Sequence, residues 1–271
     1  MPGLEAEYAD DLSLISRATA AAAALAMDYF ARGGVARWDK APGNPVTAAD
    51  LAVDALLKAE LLSARPDDGW LSEETADAPA RLARRRVWVV DPIDGTRDFI
   101  RGRTGWAVSV ALVKDGAPLL ACLAAPARGE TFVAVMGCGA TRNGMPLAVS
   151  GRSDIAGVRL SADAAGLAHP RWPEPWDAVA VDKPNSLALR MALVAADTAD
   201  GIIDGRTVNE WDVAAATLIV TEAGGRVSDL AGAALVFNQA VPLVAGLVTA
   251  TPGVHAELRR RLAAGVAAWR R

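Results

Sequence analysis

Histidine is nearly absent from this chain of 271 residues: only His169 and His255 occur. A histidine-ligated zinc site or a Ser-His-Asp triad is therefore poorly supplied. Cysteine is as scarce. Cys122 and Cys138 have no CxxC spacing and are too few for a disulfide framework, which points to a reducing, cytoplasmic setting. Basic excess is missing too. With 28 Lys and Arg against 32 Asp and Glu, the net charge is −4, so a nucleic-acid polymer is not an expected partner. The longest uncharged tract, Ala231 to His255, is broken by Asn238, Pro242 and Pro252. It reads as buried strands and a loop, and no membrane partner is expected. Glu5, Glu7, Asp10 and Asp11 stand ahead of the first Ala-rich stretch, where a secretory signal would carry positive charge. Neither a P-loop nor a GxGxxG appears.

What the chain does offer is carboxylate. Glu73, Glu74, Asp91, Asp94 and Asp212 all fall at the ends of predicted strands or helices. Clustered carboxylates without imidazole or thiolate suit a hard cation such as Mg²⁺. The stretch "VWVVDPIDGTRDFI" (Val87 to Ile100) puts two of them at the mouth of an apolar strand. Pro92 fixes its own backbone and biases Asp91 to an extended conformation. Asp94-Gly95 is a turn pair, and the helix start behind it offers free N–H groups to an anion. One six-residue turn can thus supply metal ligands and a phosphate cradle. Each motif also has an ordinary reading. Thr47 and Asp50 in "VTAAD" have the form of a capping box, Asp212 has the form of a helix cap, and Glu73-Glu74 that of surface charge.

Along the chain, Asp10 or Asp11 is positioned to cap a helix running to about Ala31, ended by Gly33-Gly34. "WDKAPGNPVTAAD" reads as a loop leading into a helix from Ala48 to Ser63. Strands follow at "WLSEE" and Val87 to Val90, then a hairpin with Asp115-Gly116 at its turn, then a pair at Thr131 to Val135 and Pro146 to Val149. From about Ser150 short strands alternate with helices: strands at Val158 to Leu160 and Gly201 to Ile203, helices at Ser186 to Ala196 and Val213 to Ala223. One or two strands are expected over Val241 to Thr249, and a last helix opens at Thr251-Pro252. Two units result, 1–150 with most of the carboxylates and 151–271 closing over them, joined at a packing boundary.

Taken together, "DPIDGT" (Asp91 to Thr96), "EWDVAAATLIVTEAGG" (Glu210 to Gly225), "SEE" (Ser72 to Glu74) and "NPVTAAD" (Asn44 to Asp50) resemble the inositol monophosphatase superfamily, in that family's order. "NGMPLAVS" (Asn143 to Ser150) is a weaker likeness. The resemblance implies an α/β fold, the layered αβαβα sandwich of sugar phosphatases, often a homodimer. It implies a Mg²⁺-dependent, lithium-sensitive phosphomonoesterase acting on a small-molecule phosphate ester with two or three ions. By the family pattern Glu73, Asp91, Asp94, Asp212 and the Ile93 carbonyl bind metal. Gly95 and Thr96 supply N–H groups to phosphate, Asp50 and Thr96 activate the water, and Glu74 assists through water.

Substrate is read from departures. Inositol monophosphatases commonly carry a glutamate seven residues before the last metal aspartate, and here Gly205 stands there. "DGTRDFI" and "EWD" resemble the 3′(2′),5′-bisphosphate nucleotidase branch, which keeps a lysine where Arg190 falls. Arg190 and Arg206 are therefore expected to hold a second phosphate, as on adenosine 3′,5′-bisphosphate, while the ordinary reading of Arg190 is a solvated helix residue. The branch's Gly-Ser-Ser lead-in is Ser186-Leu187-Ala188 here, and the alternatives are inositol 1-phosphate or another sugar phosphate. A catalytically idle binding subunit is the reading of a different class, and the retained ligand set opposes it.

Overall fold

The computed structural model describes residues 7–41, 44–170 and 172–269. Glu5 and the Pro42-Gly43 pair of the predicted loop lie outside them. Helix α1 (Ala9–Arg32) is followed by a hairpin of β1 (Arg37–Ala41) and β2 (Asn44–Thr47), then by α2 (Ala48–Ala64). Strands β3 (Gly69–Ser72), β4 (Arg86–Asp94), β5 (Ala107–Lys114), β6 (Ala117–Ala125), β7 (Glu130–Val135), β8 (Gly139–Arg142) and β9 (Met145–Pro146) form a seven-stranded sheet in sequential order. A five-residue helix, α3 (Thr96–Ile100), separates β4 from β5. Only β3 and β4 run parallel.

The rest of the chain supplies β10 (Val158–Ser161), α4 (Ala164–Leu167), β11 (Ala178–Val181), α5 (Leu187–Ala195) and β12 (Gly201–Asn209). After these come α6 (Glu210–Glu222), β13 (Arg226–Ser228), β14 (Leu243–Ala250) and α7 (Pro252–Trp269). Its strands make a mixed sheet in the order β11-β10-β12-β14-β13. Among the described residues no helix is long and apolar enough to cross a membrane.

The layering follows from the period-two alternation of β4. Trp88 and Val90 face one way, into a core with Ile15, Leu57 and Leu61 of α1 and α2. Val87 and Val89 face the other, into a second core with Met191, Val194, Ile219 and Val220 of α5 and α6. A strand buried on both faces has no polar alternation, which is why "VWVV" is wholly apolar. Helix α7 covers the far side of the second sheet through Val254, Leu258 and Leu262. The order is α, β, α, β, α, as the family resemblance implies.

Several local expectations change. Neither Asp10 nor Asp11 caps α1, whose N-cap is Tyr8 without a side-chain bond. Asp11 is instead buried between Arg65 and Arg86. "WDKAPGNPVTAAD" is not all loop: Arg37 to Thr47 pair as a two-stranded ribbon. Strand β7 pairs with β8, not with Pro146 to Val149, because Asn143 (φ 50°) and Gly144 (φ 78°) make a turn that sends β9 back on β8. β12 runs on to Asn209, β11 and β13 are additional, and α6 begins at Glu210.

Candidate active site

The site begins where β4 leaves the sheet. Asp91 is paired in the ladder with Ser109, and a register shift before Asp94 lets the chain turn. β3 lies parallel to β4, and the Glu73 N–H donates to the Val90 carbonyl at 3.3 Å, which brings Glu73 beside Asp91. Gly95 holds φ 92°, and a Cβ there would stand 2.7 Å from the Gly105 carbonyl and 2.8 Å from the Ser186 nitrogen. No other residue fits that turn without moving backbone. Asp94 Oδ2 accepts from Ser186 Oγ at 2.6 Å and from the Ala188 N–H at 2.7 Å. The start of α5 is thereby tied to the end of β4.

Asp212 arrives from α6. It is the third residue of that helix and accepts from the Asn209 N–H at 2.8 Å, closing a capping box. Asn209, rather than Asp212, is the N-cap. Glu73, Asp91, Ile93, Asp94, Gly95, Thr96, Arg206 and Asp212 line one cavity of about 270 Å³. Glu74 is set aside from it, its carboxylate 2.8 Å from Lys40 Nζ, which also reaches Glu73 at 2.8 Å.

Burial and crowding make these carboxylates hard to ionise together. Burial, then Asp94, pushes Asp212 up to about 8. Asp94 rises to about 6 through burial, against the opposing hydrogen bonds from Ser186 and Ala188. Asp91 is held well above its ordinary value by burial, with Glu73, Asp94 and Asp212 adding repulsion. Burial likewise raises Glu74 to about 7. Asp91 Oδ1 is buried without a hydrogen-bond partner. An orphaned carboxylate oxygen amid three like charges fits a cation, and an all-oxygen donor set fits Mg²⁺. Among the described residues, no three His, Cys, Asp or Glu side chains already converge at ligating distance. The fit therefore rests on donor chemistry and on that orphaned atom.

Asp50 and Thr96 do meet. Thr47 donates its N–H (2.8 Å) and hydroxyl (2.5 Å) to Asp50 Oδ2, while Asp50 Oδ1 lies 3.2 Å from Thr96 Oγ. Thr96 Oγ is also 3.0 Å from the Ile93 carbonyl. Burial raises the Asp50 pKa, with the Thr47 hydrogen bonds opposing. The capping box and the expected water-activating pair thus share one carboxylate.

Beside the acidic cavity lies a larger one of about 730 Å³. The two share Arg97, Asn185 and Arg206. Arg190 lines the larger cavity but is 5 % exposed, not solvated. One of its terminal nitrogens donates to the Ser161 carbonyl at 2.8 Å and the other stands 3.9 Å from Asp204. Arg206 grips the same Asp204 at 2.6 Å with most of its side chain exposed. Residues absent from the sequence reading are Lys40, whose partners depend on the unforeseen ribbon, and Asn209. The sequence presents Ser186 as the start of a helix and as a mismatch to the branch's lead-in, and the structure makes it the N-cap of α5 and a donor to Asp94.

Known proteins resemble this chain in sequence and in fold. Residues 9–268 match the profile of the inositol monophosphatase family. A histidinol-phosphatase of Chlorobaculum parvum is 34 % identical over 82 % of this chain and 86 % of its own length. A 3′(2′),5′-bisphosphate nucleotidase CysQ of Aggregatibacter actinomycetemcomitans is 32 % identical over 74 % of this chain and 77 % of its own. Among solved structures, the Thermotoga maritima IMPase superposes with a TM-score of 0.79 at 27 % identity, covering 95 % of this chain and 98 % of that one.

Proposed function

This chain belongs to the inositol monophosphatase family and is a phosphoric monoester hydrolase, and from that premise we propose that its substrate is a small phosphate ester carrying a second anionic group. A 3′(2′),5′-bisphosphate nucleotide such as adenosine 3′,5′-bisphosphate is the type. The observation that carries this reading is the charge of the larger cavity. Six cationic side chains line it (Arg97, Arg101, Arg103, Lys183, Arg190 and Arg206) against three acidic ones, Asp98, Asp163 and Asp204. In a chain of net charge −4, that local excess supports an anionic leaving group. Each of those acids faces a cation: Asp98 with Arg103, Asp163 with Lys183, Asp204 with Arg206. A cationic leaving group would have to break such pairs.

In this reading Glu73, Asp91, Asp94, Asp212 and the Ile93 carbonyl hold two or three Mg²⁺ ions. Bound there, Mg²⁺ neutralises the negative charge that carboxylates and phosphate would otherwise set against each other. The Gly95-Thr96 turn offers its N–H groups to the phosphate. The Thr96 hydroxyl orients the attacking water, and Asp50, its carboxyl raised by burial, accepts the proton through that hydroxyl. Arg206 and Arg190 face the leaving group's second anion.

The test is Mg²⁺-dependent phosphate release from adenosine 3′,5′-bisphosphate, inositol 1-phosphate, histidinol phosphate, fructose 1,6-bisphosphate and NADP. The bisphosphate nucleotide should give the highest kcat/KM. Losing a charge-assisted hydrogen bond costs about 1.5–3 kcal/mol, roughly ten- to a hundred-fold. Arg190→Ala and Arg206→Ala should lower kcat/KM on the nucleotide by that factor and spare inositol 1-phosphate. A parent enzyme preferring inositol 1-phosphate or histidinol phosphate overturns the substrate assignment.

A further inference from the structure

Asp54 sits in the middle of α2, one turn beyond Asp50, and is 7 % exposed. An aspartate in a helix interior is a poor helix former, and a buried one is costly unless its oxygens are satisfied. Here both are satisfied by hydroxyls from a different element. Oδ1 accepts from Ser72 Oγ at 2.5 Å, and Oδ2 accepts from Thr75 Oγ at 2.6 Å. Ser72 and Thr75 bracket Glu73 and Glu74. Ser72 Oγ in turn lies 3.4 Å from the Glu74 N–H. The acidic pair is therefore clamped at both ends by one carboxylate on α2, while Asp50, on the same face of that helix, accepts from Thr96, which also lines the cavity.

We propose that Asp54 is a positioning residue: through Ser72 and Thr75 it fixes the Glu73-Glu74 segment against the end of β4, and so sets the affinity of the acidic cavity for Mg²⁺. The proposal rests on the metal-dependent reading above. Its geometry does not. Segment 72–75 leaves the sheet at Ser72 and is followed by no regular element before Pro79. Beyond the Glu73 N–H bond to the Val90 carbonyl, the clamp restricts a segment that the strand ladder no longer holds. Partners standing behind metal ligands typically change metal affinity 10–100-fold when removed.

Two measurements on the full chain separate positioning from plain stability. The first is hydrogen–deuterium exchange of residues 72–76 in metal-free protein, and the second is Mg²⁺ affinity by titration calorimetry. Asp54→Ala should speed exchange in that segment at least about tenfold and weaken Mg²⁺ binding about 10–100-fold. At saturating Mg²⁺, the substrate KM should change little. Asp54→Asn keeps an acceptor for one hydroxyl, so it should fall between parent and Asp54→Ala, and it serves as the test should the alanine variant not fold. Ser228→Ala is the control. It removes a buried hydroxyl bonded to His255, neither residue lining the acidic cavity, and should lower Tm without moving Mg²⁺ affinity. Mg²⁺ affinity within threefold of the parent in both Asp54 variants, or exchange accelerated along all of α2 alike, overturns the proposal. A parent that binds Mg²⁺ but releases no phosphate from any ester overturns the function, and the exchange and affinity results still decide the role of Asp54.

Discussion

Asp50 divides its two oxygens between two duties, Oδ2 closing the cap on Thr47 and Oδ1 meeting the Thr96 hydroxyl. The division lets the duties be separated by experiment. Thr96→Ala should leave Mg²⁺ affinity near normal and cut kcat sharply, by about a hundred-fold or more for a lost proton carrier. Asp50→Asn should match it in rate and change stability little, since asparagine keeps an acceptor for the Thr47 N–H. The double variant should then be little slower than either single, as for residues acting as a unit. Multiplicative losses would confine Asp50 to its cap. Asp212→Asn is the companion case. Asparagine keeps an acceptor for the Asn209 N–H, so the metal-free fold should survive while Mg²⁺ affinity and turnover fall together. Turnover within a few-fold of the parent would remove Asp212 from the ligand set. At this scale the sequence was most readable where contacts are local: "VTAAD" closes its capping box on Asp50 three positions on, and "EWD" closes its own on Asn209, whereas the hold of Ser186 on Asp94 of "DPIDGT" is not local. Lys40 on Glu73 and Asp54 on Ser72 and Thr75 span 18 residues or more, and no spacing announces them.

Helix α7 and strand β12 meet at Gly205. A Cβ there would stand 2.7 Å from a Val266 methyl. The missing side chain therefore has a packing cause. Gly205→Ala should cost about 1–3 kcal/mol by overpacking. Pairing it with Val266→Ala should recover much of that loss, which chemical denaturation can follow. Independent, additive losses would show that Gly205 serves something other than this seam. Helices α1, α2, α5 and α6 and the hairpin at Asp115-Gly116 were legible because each carries its own cap, stop or turn signal. Strands β1, β2, β11 and β13 were not. They are three to five residues long, and pairing across the fold, rather than local pattern, makes them strands.

Across the whole molecule the acidic cavity should couple folding to proton and, on the reading proposed above, to metal. Folded Asp94, Glu74 and Asp212 titrate near 6, 7 and 8, all above their ordinary values near 4. Each binds more protons folded than unfolded between those limits. Their contribution is fully present below pH 4 and is lost as the pH rises towards 8. Metal-free protein should therefore melt lower at pH 8.5 than at pH 6. Mg²⁺ at a hundred times its Kd should add about 2.7 kcal/mol, roughly 5–10 °C for a chain of this size, and one fixed Mg²⁺ concentration should raise Tm more at pH 8.5 than at pH 6. Calorimetry with and without a chelator checks both signs. A Tm indifferent to pH and to Mg²⁺ would contradict a buried acidic cluster poised for a cation.

Helix α6 lies between the two sheets and brings Asp212 to acids that β3 and β4 supply more than a hundred residues earlier. A ribosome making this protein therefore finishes the first sheet long before the centre can be completed. Throughout that interval the emerging chain has Glu73, Asp91 and Asp94 but no Asp212, and on the ligand set proposed above it should be hydrolytically silent. Premature stops or cleavage before Glu210 would leave fragments that a cell need not guard its phosphate esters against.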